Sequence, residues 1–179
     1  MLGIRFLLKN RNDAISENSP DPDIREVACL LKQRSNSPFA RSIHVRMVDA
    51  GSSNDVEIEE GLANSPQVDI ERFGIHFVAS PRHADVILAT GPVTENMKLA
   101  LKKTYDAASY PKAVVAAGDG ACTGGMFSKG GIAIAGRGKV EEVVPVDVKV
   151  PGNPPTPYQL VAGLLKAGQI LEQKARQKR

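Results

Sequence analysis

A chain of 179 residues with 42% hydrophobic and 24% charged residues fits one globular domain with extensions and enough mass to bury a core. Aromatics make up 4%, Trp is absent, and the net charge is +3, much of it in the tail Lys174-Ala-Arg-Gln-Lys-Arg179; this excludes a nucleic-acid surface of basic stripes and stacked aromatics. Two cysteines, Cys29 and Cys122, exclude a disulfide framework, and the longest apolar runs, residues 86–89 and 113–117, fall far short of the ~18–20 residues of a membrane span.

In chain order, residues 1–8 form an apolar segment broken by Lys9 and Arg11, too short for a cleavable signal and suited to docking on a neighbour. Residues 10–23 are rich in Asn, Ser, Asp and Pro and read as a linker. Helical spacing of Ile24, Val27, Ala28, Leu30 and Leu31 predicts a helix over 24–34, started by Asp21-Pro22-Asp23. Strands are expected over 42–48, 73–79, 85–89, 112–117 and 143–150. Helices are expected over 57–63, over 96–106 with Met97, Ala100, Leu101 and Tyr105 on one face, and over 157–173. The domain limits are 1–40 for the N-terminal extension, 41–173 for an α/β domain and 174–179 for a solvated basic tail. Alternating strands and helices imply a parallel sheet covered by helices, with the loops after the strands (48–57, 79–83, 90–94, 118–125 and 151–155) forming the working edge.

The glycines of the 118–138 region, with Asp119 among them, match neither the P-loop nor the dinucleotide fingerprint, so they read as tight turns rather than a phosphate cradle. His44 and His76 stand alone in strand-like runs and read as structural histidines. The turn Pro151-Gly-Asn-Pro-Pro-Thr-Pro157 fixes the path of the chain.

Taken together, Val48-Asp-Ala-Gly-Ser-Ser-Asn-Asp-Val-Glu-Ile-Glu59, residues 73–85, Gly91-Pro-Val-Thr94, residues 118–127 and residues 144–155 resemble, in order and spacing, the small subunit of membrane-bound nickel–iron hydrogenases. The same subunit type is the 20 kDa B-type subunit of respiratory NADH:quinone oxidoreductase. The likeness spans residues 42–165. It implies a flavodoxin-like three-layer α/β domain with a central parallel sheet, plus an irregular N-terminal extension. It also implies a four-iron cluster held by four cysteines, and those positions fall here on Ser53, Val56, Gly120 and Asn153. Iron–sulfur ligation needs deprotonated, soft sulfur, so the 4Fe–4S cluster is expected to be absent.

Cys122, two residues past the third ligand position, has two readings: a second, non-ligating cysteine, or a residual thiol that ligates or reacts. By the resemblance, Arg82 and His83 lie on a loop that approaches the cluster and the large-subunit interface. Glu57 matches a glutamate near the subunit junction linked with proton transfer, and reads equally as a helix-start carboxylate. Glu57, Arg82, His83 and Asp119 are the interface or coupling candidates.

Three functions compete. The first is a non-catalytic, cluster-free component of a membrane-associated complex, placed between a large-subunit homologue and membrane subunits, peripheral to the inner face of the cell membrane and itself cytoplasmic. The second is an electron-transferring oxidoreductase subunit with a non-standard cofactor or ligation. The third is a stand-alone flavodoxin-like binding module. The first is favoured because Asp49-Ala-Gly51, Gly124-Gly125 and Val150-Pro-Gly152 remain while all four ligands are replaced.

Overall fold

The central runs of Val, Ile, Leu and Ala over 86–89 and 113–117 are apolar on both faces and need cover on both, which a parallel sheet between helices provides. The computed structural model describes residues 19–34, 42–51, 54–129 and 133–177; Ser53, the apolar segment 1–8 and most of the 10–23 linker lie outside them. The strands are β1 (Ile43–Asp49), β2 (Ile75–Phe77), β3 (Val86–Thr90), β4 (Ala113–Ala117) and β5 (Val148–Val150). They lie in the order β2-β1-β3-β4-β5, all parallel. This is the doubly wound, flavodoxin-like order, and its topological switch point lies between β1 and β3.

Side-chain alternation splits the core into two layers. Ile43, Val45, Ile75, Val86, Leu88, Val115 and Val150 face α1 (Pro22–Arg34), α2 (Asp55–Ala63) and the long C-terminal helix, α5 (Pro157–Gln177). Val48, Ile87, Ala89, Val114 and Ala116 face α3 (Glu95–Ala107) and the short α4 (Gly118–Thr123). β3 and β4 are buried along their whole length.

Helix α5 starts with a capping box: the Thr156 hydroxyl accepts from the Gln159 N–H at 3.3 Å and the Gln159 side chain accepts from the Thr156 N–H at 3.1 Å. Its interior glycines mark close approach to the sheet. A Cβ on Gly163 would lie 2.3 Å from Val150 Cγ2, and one on Gly168 would lie 2.7 Å from Ile43 Cδ1.

Several elements differ from the sequence reading. The strand expected over 73–79 shrinks to three residues, because Ile70–Phe73 closes a 3-10 turn that ends at Gly74. The glycine-rich stretch 118–125 opens as a helical turn rather than a loop. Helix α1, assigned to the extension, buries Val27 and Leu30 in the main core and pairs Glu26 with Lys166 at 2.6 Å, so the domain takes in residues before 40. At the other end, α5 runs past 173 to Gln177, and Lys174 is not a solvated tail residue. Its Nζ lies 2.7 Å from Asp147 Oδ1 and donates to the Lys112 carbonyl at 2.9 Å.

Candidate functional site

The loops leaving β1, β3, β4 and β5 meet over a cleft of about 390 Å³ at the carboxyl edge of the sheet. Its walls are Asp55 and Val56 at the start of α2, Gly91 and Pro92 after β3, residues 117–120 and 124–127, and Asn153. A crevice at the carboxyl ends of the strands, beside the switch point, is where doubly wound sheets carry their sites.

Val56, Gly120 and Asn153 therefore come together at one cleft although they lie far apart in the chain. Val56 is 1% exposed and belongs to the main core, with Cγ2 only 2.7 Å from where a Cβ on Gly118 would stand. Gly120 lies against Pro92: a Cβ there would approach Pro92 Cδ to 2.9 Å and Pro92 N to 3.0 Å. Asn153 is exposed at the rim. A branched alkyl group, a backbone without a side chain and an amide make a donor set that does not match the thiolates of an iron–sulfur cluster.

Cys122 is placed differently. It is buried in the layer under α4, its Sγ lies 3.3 Å from the Ala116 carbonyl and 3.7 Å from that of Val150, and it is not among the residues lining the cleft. Burial pushes its thiol pKa up, so at neutral pH it is the protonated, weakly nucleophilic and weakly ligating form. Cys29 is exposed on α1. A water-soluble disulfide reagent at pH 7.5 is therefore expected to label one thiol per folded chain quickly and the second only in denaturant. Rapid labelling of both would refute the buried placement.

Two polar links hold the cleft walls. Asp119 clasps the proline-rich turn from both sides: its N–H donates to the Gly152 carbonyl at 2.8 Å and its Oδ1 accepts from the Gly152 N–H at 3.0 Å. Glu57 turns its carboxylate to the Thr90 hydroxyl at the end of β3, and Thr90 is fully buried. Glu57 and Asp119 are thus engaged within the domain. Farther along α2, burial raises the pKa of Glu60.

Arg82 and His83 require a correction. They occupy the 3-10 turn Pro81–His83, whose Arg82 carbonyl accepts from the Ser109 hydroxyl at 3.2 Å. Two residues later the Asp85 N–H donates to the carbonyl of His44, near the start of β1. This is the amino edge of the sheet, opposite the cleft. The reason is topological: with no crossover helix between β2 and β3, the connection itself must carry the chain back to the start of β3. Residues missed in the sequence are Met126 and Phe127, 83% and 45% exposed, which give the cleft an apolar lip. The signal was an apolar pair directly after Gly124-Gly125, where the chain has just turned.

Among the described residues no helix is long and apolar enough to cross a membrane. The chain is 38% identical to the probable membrane-bound hydrogenase subunit mbhJ of Pyrococcus furiosus, over 80% of this chain and 81% of that subunit. It is 42% identical to formate hydrogenlyase subunit 7 of Escherichia coli over 82% of this chain, spanning 54% of that longer protein. Among solved structures, a chain of the membrane-bound sulfane sulfur reductase, an archaeal respiratory membrane complex, superposes with a TM-score of 0.63 and 30% identity, over 75% of this chain and 73% of that one. The sequence profile of the NADH ubiquinone oxidoreductase 20 kDa subunit matches residues 52–167, and the chain belongs to that family.

Proposed function

We propose that this chain is a cluster-free component of a membrane-associated multi-subunit complex of the respiratory NADH:quinone oxidoreductase and energy-converting hydrogenase type. Its role is structural or coupling: it joins a large-subunit homologue to membrane subunits and sits peripherally at the inner face of the membrane. The observation that carries the reading is a cleft with no cysteine among its described lining residues, on an otherwise intact scaffold. Val56, Gly120 and Asn153 line it without a thiolate, while Asp119 and the 151–155 turn still shape it. The apolar lip of Met126 and Phe127 supports docking of a large subunit on this edge. Relatives named as subunits of membrane-bound hydrogenase and formate hydrogenlyase support the assembly class. Without a cluster no electron pauses at this edge, so electron transfer by the family's route does not pass through the subunit. The test is iron and acid-labile sulfide analysis, with electron paramagnetic resonance, on the complex purified anaerobically through a tag on this chain. The expected result is a co-purifying large-subunit homologue and no stoichiometric iron or sulfide assignable to this subunit. A four-iron signal that vanishes on altering Ser53 or Asn153 would overturn the proposal.

A further inference from the structure

On the sheet face near the amino edge, away from the cleft, β1 and β2 bring two imidazoles together. His44 and His76 are direct partners in the parallel register, so their side chains leave the same face of adjacent strands. Their ring centroids are 6.0 Å apart and their planes are inclined by 34°. Two imidazoles sharing one ion at nitrogen–metal distances near 2.0–2.1 Å have centroids roughly 5–6.5 Å apart, so the pair is already spaced for chelation.

Asp85 favours one of the two ring nitrogens of His44 for a ligand. Asp85 Oδ2 accepts the His44 backbone N–H at 2.9 Å and lies 3.3 Å from His44 Nδ1. Glu71 Oε1, 3.9 Å from His76 Nδ1, is a longer charge contact and not a hydrogen bond. A carboxylate at Nδ1 favours the proton there and leaves the Nε2 lone pair for a ligand, the arrangement that orients histidines around metals. Both rings are open to solvent, with side-chain exposures of 42% and 39%. An ion therefore has a path in.

We propose that His44 and His76 bind a divalent first-row transition ion of the zinc, nickel and copper class through their Nε2 atoms. Imidazole ligation selects these ions over magnesium or calcium, which take oxygen ligands. Among the described residues no three metal-ligating groups converge, so the protein supplies two ligands and water completes the shell. Arg46, the next residue of β1 on this face, adds positive charge and keeps the affinity modest.

The test is calorimetric titration of the full chain, carrying Cys29→Ser to remove the exposed thiol, with Zn²⁺ at pH 7.5. The expected result is one ion per chain, with affinity falling at least tenfold in His44→Gln and in His76→Gln. Copper loading read by electron paramagnetic resonance is expected to show coupling to two imidazole nitrogens, reduced to one in either variant. Circular dichroism melts of the variants confirm that the fold is kept, since both side chains are half-exposed. Absence of zinc binding, or binding that survives both substitutions, overturns the proposal.

Discussion

Gly124→Ala is expected to lower the melting temperature by about 10 °C, the equivalent of roughly 3–4 kcal/mol in a domain of this size. Gly124 ends α4 with φ +85, a conformation that disfavours any side chain. Sterics add more than the dihedral does. An added Cβ would stand 1.9 Å from the Arg137 carbonyl oxygen and 3.0 Å from Ser128 Cα, and both are backbone atoms that cannot swing aside. The control is Gly61→Ala, inside α2, where a Cβ meets nothing within 4 Å. There the lower entropy of the unfolded chain and better helix propensity are expected to add about 0.5–1 kcal/mol of stability. Urea melts of the two variants should therefore move in opposite directions. Equal midpoints would mean that the 124 and 137 backbones are not in contact, and that the lip of the cleft is not fixed by them.

The sheet was legible because its signal is local. Runs such as residues 86–89 and Ala113–Ala117 are apolar throughout, and a strand hidden on both faces is built mostly of such residues. The order of the loops made the carboxyl edge legible too, and Val56, Gly120 and Asn153 do meet there. What failed was long-range or depended on a short connection. The family resemblance put Arg82 and His83 beside the cleft, but β2 spans only three residues and its connection descends at once to the amino edge. The pairing of His44 with His76 depends on strand register, which two isolated histidines cannot announce. Helix α1 looked like part of an extension because the linker before it is polar, yet its Val27 and Leu30 complete the core over α5. Similarly, Lys174 looked like a tail charge until Asp147, 27 residues away, was found beside it.

Thr90→Val is expected to destabilise the domain by about 1.5–3 kcal/mol, although the two side chains have nearly the same shape. Thr90 is the buried polar side chain of β3, and its hydroxyl has one proton to give. The Glu57 carboxylate is the acceptor that matches it; the Val48 carbonyl, at 3.5 Å, is a distant second. Valine removes the donor and leaves the carboxylate oxygen facing an alkyl group in a half-buried site, so the loss exceeds that of an ordinary surface hydrogen bond. Thr90→Ser, which keeps the hydroxyl, should lose about 1 kcal/mol for the missing methyl group. In a Glu57→Ala background the valine substitution should be nearly neutral, because the hydroxyl then has no carboxylate to satisfy, and the difference between the two backgrounds is the coupling energy. The pair ties the end of β3 to the start of α2, one residue from Val56, so it sets the position of the cleft's side wall. A coupling energy indistinguishable from zero would show that Glu57 turns outward in solution, where it would again be available to a partner subunit.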